Sequence, residues 1–204
     1  MRFVPFAIAI AAALAAVPAL AQAPAGARVG IRGTVESLDG HKLTLKDRDG
    51  HTDTITLADK VAIRGVAKKT LGDIHEGDFV ASTSVKGADG KLHALEVHIF
   101  PAALKGVIPE LQMPYDLAPD SIMTNAIVTG IAAAPAGDTL TMTFKGRTAE
   151  VVVPPDTPIV SLVPGDASLL KPGAFVFVYA LKKPDGSLSA GAITAEKNGV
   201  KPPM

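Results

Sequence analysis

The feature that most constrains this chain is that its stretch from Ile74 to Val97 occurs twice. Gly77, Phe79, Val80, Asp89, Gly90, Leu92, Ala94 and Val97 recur as Gly173, Phe175, Val176, Asp185, Gly186, Leu188, Ala190 and Ile193, each pair 96 positions apart without a gap. An ungapped repeat marks an internal duplication, so the chain must fold as two related units. Each copy has an apolar residue, a glycine three positions on, a Phe-Val strand, an Asp-Gly turn and a closing strand of alternating apolar positions. That is the pattern of a β-hairpin.

Three further strands precede each hairpin. Val29 and Ile31 open one that runs through Thr34 and Val35, with Gly33 read as a bulge. Asp39-Gly40 turns it, Leu43 and Leu45 alternate with Lys42, Thr44 and Lys46, and Asp47-Arg48-Asp49-Gly50 turns again into Thr52 to Leu57. In the second copy Ile127 to Ile131, Leu140 to Phe144 and Thr148 to Val153 repeat the order, and Pro154-Pro155 ends the third strand because neither residue can donate to a ladder. Leu71 to Ile74 is long enough for one helical turn in the crossover. Three strands, a crossover and a closing hairpin is the order of the OB-type small barrel.

The expected fold is therefore all-β, with two tandem OB-like five-stranded barrels. The chain divides into a signal peptide (1–21), a first barrel (22–101), a packed junction segment (102–125) and a second barrel (126–204). The strand Phe175 to Leu181 is apolar on both faces, which predicts burial on both sides and makes it the expected meeting surface of the barrels.

The first residues give an address. Arg2, then an apolar run from Phe3 to Leu20, then small residues, is the layout of a secretory signal peptide, with cleavage expected after Ala21. The Ala-rich run and Pro18 favour removal over a retained anchor, so a soluble periplasmic or secreted product without stable membrane insertion is expected. There is no cysteine, hence neither a lipid-anchor site nor a disulfide framework. Removing Arg2 leaves 19 basic against 20 acidic residues, and there is no tryptophan. A near-neutral chain without a stacking platform excludes nucleic acid as a partner.

Several segments carry a resemblance. Gly33-Thr34-Val35 with the Leu43-Thr44-Leu45 strand, Tyr115-Asp116-Leu117, Met123-Thr124-Asn125-Ala126, Val153-Pro154-Pro155-Asp156, Ser168 to Gly173 and the terminal Pro202-Pro203-Met204 resemble a family of small secreted proteobacterial proteins. The family has an OB-like domain of unknown function and is often labelled automatically as metal ABC transporter permease. The resemblance covers nearly the whole mature chain and implies OB-like barrels; it brings no catalytic residue. The permease label does not fit a chain without a transmembrane bundle after its signal peptide. Family members carry a His shortly before a Trp in the junction, where this chain has Met113-Pro114-Tyr115.

Candidate chemistry is sparse. No cysteine, no Gly-x-Ser-x-Gly elbow and no His-Glu-x-x-His occurs, so the chain is not expected to be an enzyme or to need a cofactor. All five histidines lie in the first copy. His75, His93 and His98 are the candidates for the alternative reading, an envelope metal-handling accessory protein. Their spacing argues against a site, since His93 and His98 are five apart on one strand and should face opposite ways. The junction differs in kind: Met113, Tyr115, Asp116, Asp120 and Asn125 lie in an apolar, proline-braced segment of the sort that carries binding residues. The sequence therefore points to a monomeric binding or scaffolding protein for an envelope protein or a small ligand.

Overall fold

The computed structural model describes residues 26–134 and 137–203, so the signal-peptide reading falls outside the described residues. Among the described residues twelve strands follow in order: β1 (Ala27–Asp39), β2 (Lys42–Asp47), β3 (Thr52–Lys69), β4 (Phe79–Lys86), β5 (Leu92–Ile99), β6 (Leu111–Pro114), β7 (Ile122–Ala132), β8 (Asp138–Phe144), β9 (Arg147–Val153), β10 (Ile159–Pro164), β11 (Phe175–Lys182) and β12 (Leu188–Ala195). Single 3-10 turns stand at Leu71–Asp73, Ala102–Leu104 and Ala167–Leu169. The Asp-Gly turns form where the sequence places them, because glycine reaches the positive φ they need: 85° at Gly50, 78° at Gly90 and 84° at Gly186.

Two barrels close, each with five strands. The first runs β1, β2, β3, β12, β11 and back to β1, with β3 and β12 parallel. The second runs β7, β8, β9, β5, β4 and back to β7, with β9 and β5 parallel. Both have the OB-type order, but the closing hairpins are exchanged. Strands one to three of each barrel come from one copy and the hairpin comes from the other. The division into barrels 22–101 and 126–204 is thus corrected: each barrel draws on both.

The exchange follows from the length of β3. In the first copy one uninterrupted 18-residue strand carries the chain onward, where the second copy breaks at Pro154 and resumes as β10. The far half of β3 pairs antiparallel with β10, and Val66 stands opposite Leu162, its own equivalent 96 residues on. An approximate two-fold axis passes between them. Val66, Val160 and Leu162 form a small core there with Phe100, Leu104 and Val200 packed against it. This is where the barrels join, rather than on β11.

The cores record the same exchange. Ile31, Val35, Leu43, Leu45, Ile55 and Leu57 of the first copy pack with Leu170, Val176, Val178 and Ile193 of the second. Ile74, Val80 and Val97 of the first pack with Val128, Leu140, Met142, Phe144 and Val151 of the second. Leu43, Leu45, Ile55, Leu140 and Met142 are fully enclosed. Each such side chain contributes roughly 1.5–3 kcal/mol over its exposed state.

The bulge in β1 lies at Glu36, where the register against β2 shifts, and not at Gly33. Gly33 answers a different need: a Cβ there would stand 2.4 Å from the Lys46 carbonyl oxygen, so only glycine lets β1 cross β2 this closely.

Candidate functional site

The junction segment builds one wall of a cleft. β6 lies antiparallel on β7, with Leu111 opposite Asn125 and Met113 opposite Met123. Beyond Pro114 the chain turns back through a loop tied at its neck. Tyr115 N–H donates to the Ser121 carbonyl (2.8 Å), and Ser121 Oγ donates to the Tyr115 carbonyl (2.8 Å) while accepting from Ala118 N–H (3.2 Å). Asp120 takes the left-handed position of this turn, φ 57°.

The loop delivers Tyr115 and Asp116 to β1. Asp116 accepts a bidentate pair from Arg32, Nη2 to Oδ1 at 2.8 Å and Nη1 to Oδ2 at 3.1 Å. The Arg32 side chain is 3% exposed, and its guanidinium lies between the Tyr115 and Phe177 rings, 5.3 and 5.0 Å from their centroids. Burial works against this charge, but Asp116 and the further charge of Glu96 more than offset it, so Arg32 stays above its ordinary pKa. The guanidinium beside Asp116 holds that carboxyl below the usual range. Burial pushes the Tyr115 phenol up, against the opposing charge of Arg32. Among the described residues no group hydrogen-bonds the Tyr115 hydroxyl; the residue is half-buried, and its oxygen is not among the buried atoms left without a partner.

A buried polar group stands behind this pair. Thr83 Oγ1 donates to Glu96 Oε1 at 2.6 Å, and His98 Nε2 lies 3.0 Å from Glu96 Oε2; all three residues are 3% exposed or less. Buried polar groups need hydrogen-bond partners, and each carboxyl oxygen of Glu96 has one.

Around the loop opens a cleft of about 430 Å³ lined by Arg28, Gly30, Met113, Tyr115, Asp116 and Tyr179 among others. A hollow of this size falls in the range of ligand pockets. Of the residues read from the sequence, Met113, Tyr115 and Asp116 converge here. Asp120 serves the turn, and Asn125 is buried on β7, its Nδ2 donating to the Pro109 carbonyl at 3.4 Å and its Oδ1 unpaired. Sequence reasoning missed Arg28, Arg32 and Tyr179. A signal existed: where the first copy has Ala81 and Thr83, the second has Phe177 and Tyr179, a change from small to aromatic.

The histidines of the metal reading stay apart. His75 faces Asp78 at 3.7 Å, His93 faces Asp89 at 3.0 Å, and His98 is buried against Glu96. The expectation that His93 and His98 face opposite ways is corrected, because a bulge at Leu95 shifts the register and puts both on one face. They stand opposite Val85 and Ala81, four positions apart or about 13 Å along the strand. Among the described residues Asp47, Asp49 and His51 bring ligand atoms within 4.8 Å of one another. Asp47 Oδ1 there accepts from the backbone N–H of Asp49 and His51, as a tight turn requires.

Comparison with family models, with curated proteins and with solved structures returned no match for the chain. No helix among the described residues is long and apolar enough to cross a membrane.

Proposed function

We propose that this chain is an exported, non-catalytic binding or scaffolding protein, and that it binds through the cleft between the junction loop and β1. The observation that carries this reading is the convergence of Met113, Tyr115 and Asp116 with Arg28 and Tyr179, which are distant in sequence, around one open hollow. Tyr179 is 38% exposed and Met113 37%, and both line the cleft. Arg28 is exposed and has no carboxylate partner among the described residues. Rings, a thioether and a free guanidinium suit recognition, and they stand on a loop braced by its own hydrogen bonds and by Arg32. The apolar run from Phe3 to Leu20 supports delivery to the periplasm, which N-terminal sequencing of periplasmic protein would check.

Native mass spectrometry of the protein purified from a periplasmic extract tests the site. The wild-type chain should retain a bound molecule that Tyr179→Ala loses, with both unfolding at the same denaturant concentration. Equal retention by the two proteins would place binding elsewhere.

A further inference from the structure

The approximate two-fold symmetry relates β1 to β7, and the two strands differ at one edge. Matching their pairings with β11 and β4 sets Val29 to Arg32 against Ile122 to Asn125. On β7 that stretch is sandwiched, with β4 on one edge and β6 on the other. On β1 the stretch pairs with β11 alone, because β2 joins only from Gly33 onward. Among the described residues no strand pairs with the other edge.

The phase of the ladder says which groups face that edge. Val35 N–H donates to Ala174, so the alternate residues from Val35 back to Val29 turn their peptide groups to β11, and those of Arg28, Gly30 and Arg32 turn outward. On β7 the same phase directs Met123 and Asn125 to β6. Open space lies along this stretch. The 430 Å³ cleft opens along Arg28 to Gly30, and a second hollow of about 230 Å³ opens along Gly30 to Arg32.

We propose that the edge from Val29 to Arg32 accepts the extended C-terminal segment of a partner polypeptide as an added antiparallel strand, in the place that β6 takes on β7. The proposal rests on the cleft reading above and names its ligand. Peptide groups without a strand partner, open at Arg28 and partly open at Gly30, supply the ladder, which is how sheet edges take up extended segments. Charge fixes the direction and the end. An antiparallel strand enters beside Arg32, where four carboxylates (Asp47, Asp49, Asp53, Asp116) stand against two guanidinium groups (Arg32, Arg48), and this favours a basic residue early in the segment. It leaves beside Arg28, where Tyr115, Tyr179 and Met113 offer an apolar pocket for the last side chain and the unpaired guanidinium offers a partner for its terminal carboxylate.

A synthetic library of heptapeptides with free carboxyl ends, panned on the full mature chain, tests this. The expected enrichment is an apolar last residue with Lys or Arg near the start. The best peptide should lose about tenfold in affinity as its terminal amide, and Arg28→Gln should show the same loss without adding to it. N-methylation of alternate peptide amides should abolish binding in one phase and spare it in the other, and amide exchange at Gly30 and Arg32 should slow in the complex. Enrichment that ignores the carboxyl end, or exchange unchanged at those two amides, would overturn the proposal. If the molecule retained from the periplasm still depends on Tyr179 after such a result, the cleft reading stands and the strand does not. A concentration-dependent dimer that protects the same two amides would give the edge to a second copy and also overturn it.

Discussion

The two barrels share one strand plan and differ on the outer faces of their exchanged hairpins. On the hairpin of the first, β11 and β12 carry Phe177, Tyr179, Ala192 and Thr194; on that of the second, the equivalent positions are Ala81, Thr83, Glu96 and His98. Across from them Arg32 on β1 matches Asn125 on β7. Inner positions change little in character: Val80 and Val176, Val97 and Ile193, Leu45 and Met142 are all fully or almost fully buried. Inner faces must fill a closed barrel, so size and polarity are constrained there. Outer faces answer only to what covers them. The aromatic and basic face is the one left open to the cleft, and the paired, charged face is the one sealed.

The largest effect should come from the sealed face. Glu96→Ala leaves His98 and Thr83 buried without their partner, and breaking a buried pair in this way costs about 3–5 kcal/mol. The matching substitution in the first barrel, Ala192→Gly, removes one methyl from a half-buried position and should cost about 1 kcal/mol. Urea unfolding of both variants measures the contrast. A loss under about 1 kcal/mol for Glu96→Ala would mean that the group is not organised by burial.

Leu170→Ala comes next and tests the exchange itself. Leu170 is 2% exposed inside the first barrel although it belongs to the second copy. Truncation should cost about 2–5 kcal/mol. Hydrogen exchange should then rise in β1, β2 and β3, more than a hundred residues earlier in the chain, more than in β7, β8 and β9. The reverse pattern would mean that each copy closes its own barrel.

How much of this was legible divides along the same line. Hairpins, Asp-Gly turns, the Pro154-Pro155 break and the five-strand order were written in local patterns, because a turn needs its glycine and a half-buried strand needs its alternation. The exchange was not, since Phe79 to Val97 and Phe175 to Ile193 have the same pattern and fit either barrel. Only the unbroken length of β3, which runs on through Val61 and Ile63, distinguishes the outcomes. In the cleft, Tyr115 and Asp116 stood out as polar groups in an apolar loop. Arg32 did not, because beside Ile31 it reads as the solvent side of a strand, and its partner lies 84 residues away. The burial of Glu96 and His98 was hidden for the same reason, and the bulge at Leu95 defeated a face assignment made by counting alone.

A smaller effect separates the two roles of Tyr115. Its ring covers Arg32, so Tyr115→Ala should cost roughly 2–3 kcal/mol through lost apolar contact and cation–π attraction. Tyr115→Phe should stay within about 0.5 kcal/mol, since the hydroxyl has no protein partner among the described residues. Denaturant midpoints of the three proteins decide the matter. An unchanged midpoint for the alanine variant would leave Arg32 resting on Phe177 alone and make Tyr115 a contact for ligand only.

A small effect also belongs to Asp116, whose side chain is 58% exposed. Exposure screens the pair, so Asp116→Asn should cost about 0.5–1 kcal/mol at neutral pH. The sign of its pH dependence follows from the direction of the shift. Hydrogen bonds from Arg32 lower the folded-state pKa of Asp116, so the folded chain binds its proton less readily than the unfolded chain does. The stabilisation is full above the ordinary carboxyl value of about 3.9 and disappears as pH falls through the lower folded value. Asp73, held at about 2 by Thr70 and Lys69, contributes in the same direction, but it does so equally in both proteins. The difference between wild type and Asp116→Asn therefore isolates the latch: it should be constant from neutral pH to about 4 and close below that. Curves that stay parallel to the acid limit would mean that the two rings alone hold Arg32, and the contrast with Asn125 would lose its electrostatic half.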